Sequence, residues 1–321
     1  MPSRYWARTN AGACMVLTAI CLMVLSSCTP AATRRVTSSP RAMYYWRTTF
    51  EPDSAELAFL RQHHIGRLYL RYFDVAINEQ HQVVPVGTCT FAAQQPDGVE
   101  VVPTVFIVEN CLWQKTAGLA AKIVKRVLQM SETNDIGPVK EVQIDCDYTL
   151  RSRERFYDLL QQMRTELRKH GIALSATIRL HQLRMPPPPV DEGVLMLYNT
   201  GDVTRRSDHN PILDMRDVAP YVRYLSDYQL PLTAAYPLFE WKVMFHHDTF
   251  RHIAYNSVDE QCKLKGDTLI HWQCTADDIV RVKEAVEKER KDLGSRVTLY
   301  HLDHQLLNHF KKEDYEKIFD E

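Results

Sequence analysis

The feature that most constrains this chain is an alternation, met eight times, of short apolar runs with strand character and amphipathic stretches with helical period. The runs are residues 43–48, 67–75, 101–107, 141–147, 173–178, 194–198, 232–238 and 297–302. Helical periods fill several of the gaps, at residues 54–63, 116–130, 151–169, 215–226 and 275–292. Strands that alternate with helices pair in parallel, and the right-handed crossover makes a closed barrel the simplest solution. The sequence therefore predicts an α/β fold, a single-domain (β/α)8 barrel of the TIM type over residues 43–321. An open doubly wound sheet is the alternative, and the lack of a Gly-rich phosphate loop after the first strand argues against it. Thr275-Ala276-Asp277-Asp278 reads as a helix start with Thr as N-cap, and Gly294 as the end of that helix. Residues 80–100 are an irregular insertion, and residues 239–274 a long segment with no assigned helix.

The first residues obey a different logic. Arg4 and Arg8 precede a mostly apolar run over residues 11–25, and small residues lead to Leu25-Ser26-Ser27-Cys28. A charged start, a short apolar stretch and small residues before a cut make a secretory signal. The run is short for a membrane span, although an uncleaved anchor is the alternative reading. The last four residues resemble the lipobox read by bacterial lipoprotein signal peptidase. That resemblance implies a signal peptide over 1–27, a lipid on the Cys28 thiol, and a membrane-anchored protein of the cell envelope, on its periplasmic face or the cell surface. Residues 28–42, rich in Pro, Ser, Thr, Ala and Arg, read as a flexible tether.

A little under 300 residues follow the signal, enough for one such barrel. The chain is 45% hydrophobic and 25% charged, which places it among globular proteins. A net charge of -1 gives no electrostatic case for nucleic acid. Cys14 and Cys21 fall within the signal, leaving Cys89, Cys111, Cys146, Cys262 and Cys274 besides the lipid-bearing Cys28. Export to an oxidising compartment permits Cys89–Cys111 and Cys262–Cys274 bridges, with Cys146 buried alone, though spacing does not fix connectivity.

Barrel active sites sit at the C-terminal ends of the strands. On the fourth strand, alternation sets Gln143, Asp145 and Asp147 on one face and Ile144 and Cys146 on the other. The apolar face suits the helices, so the acids are expected inside the barrel near its mouth. Two carboxylates about 6.5 Å apart along a strand need cationic neighbours. The fifth strand offers Arg179 and His181, and the second offers Arg71. Tyr198 and Asn199 end the sixth strand, Tyr236 lies on the seventh with Glu240 and Trp241 beyond it, and His301 and Asp303 follow the eighth. Asp145, Asp147 and Glu240 are the candidate catalytic acids. Arg71, Arg179, His181, Tyr198, Asn199, Tyr236 and Trp241 are candidates for substrate binding. Paired acids beside aromatics (Trp46, Tyr148, Tyr198, Tyr236, Trp241) suit glycoside chemistry. A purely structural ion-pair network of Asp145 with Arg179 or Arg71 is the plain alternative.

Histidines offer a weaker rival. His246, His247, Asp248 and His252, and His301, Asp303 and His304, include zinc-ligand types. Metal-dependent barrels commonly carry His-x-His on the first strand, where this chain has Tyr44-Tyr45-Trp46. No GxSxG turn marks a serine nucleophile. No metal and no cofactor are expected.

The runs VQIDCDYT, LSATIRLH, LMLYN and PLFEW together resemble a family of uncharacterised bacterial (β/α)8 proteins, many of them lipoproteins. The likeness spans roughly Tyr44 to Asp303 and implies the fold, with no established activity. The fourth strand is distantly similar to the DxxDxDxE signature of family 18 chitinases. Asp145 and Asp147 fall on its second and third acids, Val142 replaces the first, and Thr149 replaces the catalytic Glu. That resemblance implies a carbohydrate or glycoconjugate ligand. The departure at Thr149 leaves either an acid from elsewhere, with Glu240 the candidate, or a barrel that binds glycan without turnover.

Overall fold

A computed structural model describes residues 41–114 and 116–319. The signal peptide, the lipid-bearing Cys28 and most of the tether lie outside the described residues. Eight parallel strands close on themselves: β1 Arg41–Tyr45, β2 Arg67–Ile77, β3 Glu100–Ile107, β4 Glu141–Asp145, β5 Ala173–Arg179, β6 Glu192–Met196, β7 Leu232–Pro237 and β8 Val297–Tyr300. Closure comes from β1 pairing in parallel with both β2 and β8, Ala42 lying beside Arg67 on one side and Thr298 on the other. The expected (β/α)8 barrel is present.

Helices α1 Ser54–Gln62, α2 Leu119–Thr133, α3 Arg153–Arg168, α4 Met215–Val222 and α5 Ala276–Glu289 pack around it. Each turns an apolar stripe inward; on α3 the stripe is Phe156, Leu159, Leu160, Met163 and Leu167. Asp53 and Thr275 cap α1 and α5 through capping boxes with Glu56 and Asp278. Helix α5 ends at Glu289, before Gly294, because a 3-10 turn over Lys291–Ser295 intervenes.

The two unassigned segments have structure of their own. Residues 239–274 hold a three-stranded antiparallel sheet of Trp241–His246, Thr249–Ala254 and Asp267–Trp272. In residues 80–100, Val83–Val86 pairs antiparallel with the end of β2, and Thr90–Phe91 then pairs in parallel with Thr49–Phe50, just beyond β1, Thr90 N donating to Thr48 O. Among the described cysteines none is bridged: Cys89, Cys111, Cys146 and Cys274 are buried thiols and Cys262 is exposed. The expected pairings are therefore corrected. Cys111 points its Sγ at Val75 O, 3.3 Å away, and Asn210 donates to Cys274 Sγ.

The barrel interior is packed, in layers. At the N-terminal end, Arg67 pairs with Glu141 at 2.7 Å and Arg296 with Glu192 at 2.5 Å, while Ser175 Oγ donates to Glu141. Above them Tyr44 stacks on Tyr69 at 4.9 Å and donates to Gln143 Oε1 at 2.7 Å, among Val102, Val194 and Ala235. The mouth lies above this layer.

Candidate functional site

Alternation along β4 puts Gln143 and Asp145 inside the barrel, and Asp147 follows on the same side. The facing positions of β5 are Ser175, Thr177 and Arg179. Thr177 Oγ1 donates to Asp145 Oδ1 at 2.6 Å. Arg179 then bridges both acids: Nη2 lies 3.2 Å from Asp145 Oδ1 and Nε 2.5 Å from Asp147 Oδ1. Gln182, fully buried, fixes the spacing of the two strand ends. Its Oε1 accepts from Arg179 N and its Nε2 donates to Tyr148 O, at 2.8 and 3.0 Å.

The two carboxylates meet different surroundings. The Asp145 side chain is 8% exposed and that of Asp147 57%. Burial pushes the Asp145 carboxyl above the usual range, the neighbouring Asp147 and Asp74 add to this, and Arg179 and Thr177 oppose it. Burial works against the Arg179 charge too, but Asp145, Tyr198 and Asp147 outweigh it and hold the guanidinium cationic. Arg179 Nη1 is buried and has no hydrogen-bond partner among the described residues, so it is a donor in want of an acceptor.

Asp147, Arg179, His181, Tyr198 and Asn199 come together around one cavity of about 290 Å3, with Leu180, Met196, Thr200 and Tyr221 completing its lining. Asn199 has φ +52°, a left-handed conformation that Asn tolerates better than most residues. A larger hollow of about 780 Å3 lies away from the strand ends, between α1 and residues 93–99. Asp97 is the one carboxylate lining that hollow, whereas the chemistry of this fold gathers at the strand ends.

Arg71 reaches the mouth on the opposite side, where it pairs with Asp74 through Nε and Nη2 at 2.8 and 2.5 Å. Sequence alternation missed Asp74 because β2 bulges between Arg71 and Phe73. Tyr72 and Phe73 both turn outward onto α2, meeting Ser131 and Arg126, and this swings Asp74 back to the face of Arg71. Tyr300 was missed as well. It lies at the centre of an aromatic group in the mouth, with ring centroids 4.7 Å from Tyr198 and 5.9 Å from both Trp46 and Phe239.

Several expected site residues lie elsewhere. Tyr236 is fully buried on the outer face of β7 toward α5, its hydroxyl without a partner among the described residues, because the small Ala235 takes the inward position. Its expected contact with a ligand is corrected. Tyr148 is likewise buried outward, stacked on Phe156 of α3 at 4.8 Å. Glu240 lies 3.0 Å from His271 of the antiparallel sheet, and Trp241 packs on Phe239 at 5.4 Å; neither lines the cavity. Thr149 N and Oγ1 both donate to Glu109 Oε1, at 3.1 and 2.7 Å, beside the start of α3. The histidines are dispersed: His246 pairs with Asp267, and His304 with Asp53. Among the described residues no group of three or more His, Cys, Asp or Glu is placed to hold a metal ion.

No family model matches this chain. No curated protein matches it in sequence. Solved structures do match its shape. The spore cortex-lytic enzyme SleL of Bacillus cereus aligns at TM-score 0.54 and 13% identity over 87% of this chain and 74% of its own. A chitinase from Chromobacterium violaceum gives 0.57 and 11% over 87% and 97%. Catalytic domain 2 of the Group II chitinase of Ostrinia furnacalis gives 0.53 and 11% over 87% and 94%. At such identities the likeness is one of fold: the chain is a closed (β/α)8 barrel shaped like those of SleL and the chitinases.

Proposed function

We propose that the barrel mouth binds a carbohydrate and does not cleave it. One observation carries the reading: among the described residues Asp147 is the only carboxylate lining the cavity, and Arg179 already pairs with it. Glycoside cleavage by two carboxylates needs an acid and a second carboxyl facing one pocket, roughly 5–9.5 Å apart. Asp145 lies beneath the cavity, held by Thr177 and Arg179. Glu240 is engaged with His271, and position 149 is a Thr bonded to Glu109. What faces the ligand is the mixture that sugar hydroxyls suit: a carboxylate acceptor, Asn199 and His181, and the Tyr198 ring. The likeness to a chitinase and to the spore cortex-lytic enzyme SleL supports the carbohydrate class of this reading. The same proposal includes a lipid anchor at the cell envelope, a reading supported by the signal-like start and Cys28.

The test is a glycan panel read for binding and for released product, with Asp147→Asn and Arg179→Met beside the parent. Binding by the parent, weakened about tenfold or more in both variants without any product, is the expected result. Product formation that disappears in Asp147→Asn overturns it.

A further inference from the structure

We propose that the cavity takes a single terminal sugar ring and excludes the interior of a glycan chain. This deepens the carbohydrate reading and rests on it. The lining comes from one side of the mouth only: the ends of β4, β5 and β6, and Tyr221 of α4. Its volume, about 290 Å3, falls just below the range for drug-sized ligands, roughly 300–1,000 Å3. A chain running past the site would have to cross the barrel axis, and two obstacles stand there.

The first is the aromatic group around Tyr300. Tyr198 forms the inner wall of the cavity, and behind it Tyr300 touches Tyr44, Trp46 and Phe239, with centroids 5.6–5.9 Å away. Tyr44 and Tyr198 are buried, and Tyr300, Trp46 and Phe239 pack half-buried on them, so the rings fill the axis up to the level of the mouth. The second is the hairpin that continues β2. Gly87, at φ +55°, sits against the Arg71–Asp74 pair so closely that a Cβ there would come within 2.7 Å of Arg71 Nη2. The Arg71–Asp74 pair on the far side of the mouth is thereby covered, its side chains 14% and 18% exposed. On the outer side, Arg184 stacks on Tyr221 at 4.7 Å and fixes the remaining wall. What stays open is a one-sided pocket with an exposed carboxylate and an exposed Asn199 at its entrance.

The experiment is isothermal titration of the full chain with oligomers of one to five units of N-acetylglucosamine and, separately, of glucose. In the series that binds, the monomer and the pentamer are expected to agree within about threefold, since only one ring is engaged. Asn199→Gly keeps the left-handed backbone and removes the side chain, so it should weaken every member of the series about five- to tenfold alike. Trp241→Ala, outside the cavity lining and behind Phe239, should leave all members unchanged. Affinity that climbs with length, reaching thirtyfold or more by the pentamer, overturns the single-ring proposal while leaving the carbohydrate reading intact; so does a Trp241→Ala loss confined to the long oligomers. No response from either series overturns the carbohydrate reading itself.

Discussion

Replacing Arg179 by Met should reveal how much of the mouth depends on one guanidinium. The side chain lies 19% exposed between Asp145 and Asp147, which are 8% and 57% exposed. Removing one partner of a buried ion pair costs about 3–5 kcal/mol, because the other charge is left without its counterpart. The Asp145 half belongs near the bottom of that range, since Thr177 still donates to its carboxylate. The Asp147 half behaves as a surface pair and adds under ~1 kcal/mol. The sum is about 3–4 kcal/mol at pH 7, or a melting temperature lowered by about 6–8 °C for a chain of this size. The loss must also depend on pH. Asp145 is raised in the folded chain, and without the guanidinium it rises further. A raised carboxyl holds its proton more tightly folded than unfolded. Its cost is therefore absent below the unfolded value, near pH ~4, and grows as the pH climbs through the folded value. The gap between variant and parent should shrink to about 1–2 kcal/mol at pH 4. Asp145→Asn in the same chain should recover about 2 kcal/mol at pH 7 as coupling energy. Urea unfolding of the four chains at both pH values measures all of this. A loss below ~1 kcal/mol at pH 7, with no pH dependence and no recovery from Asp145→Asn, would refute the view that Arg179 holds a buried acid.

Three further outcomes are expected. Tyr236→Phe should raise stability by up to about 1 kcal/mol and leave glycan binding untouched, because the buried hydroxyl it removes has no partner among the described residues; a loss of binding would restore Tyr236 to the site. Gly87→Ala should destabilise by about 1–3 kcal/mol in thermal melts, through its positive φ and its contact with Arg71. The exposed Asp53 carboxylate hydrogen-bonds His304 and raises its imidazole above the ordinary value. The stability this pair contributes is fully present below the unfolded histidine value, ~6.5, and is lost as the pH rises through the folded one. An NMR titration should show His304 titrating late in the parent and near the ordinary value in Asp53→Asn, and equal midpoints would exclude the pairing.

The barrel was legible because its signal is periodic and repeated: eight apolar runs, with amphipathic helices between several of them, admit few topologies. The phase of β4 was legible for a related reason, since polar Gln143 and Asp145 alternate with apolar Val142 and Ile144. Where that contrast fails, so does the reading. Along β7 both faces are buried, and Thr-Ala-Ala-Tyr carries no sign of which side Tyr236 takes. Asp74 was hidden by a bulge that breaks the two-residue period in mid-strand. Glu240 resembled a free acid because its partner, His271, stands 31 residues on in a sheet whose strands are exposed or half-buried along much of their length. Tyr148 shares the parity of Ile144 and Cys146, so its outward direction was already present in the pattern.

Binding without cleavage is tested by incubating excess protein with the oligosaccharide it binds most tightly and sampling the mixture by mass spectrometry over days. The ligand should be bound by titration and intact in mass throughout. Shortened oligosaccharide, formed by the parent and absent with Asp147→Asn, would contradict it.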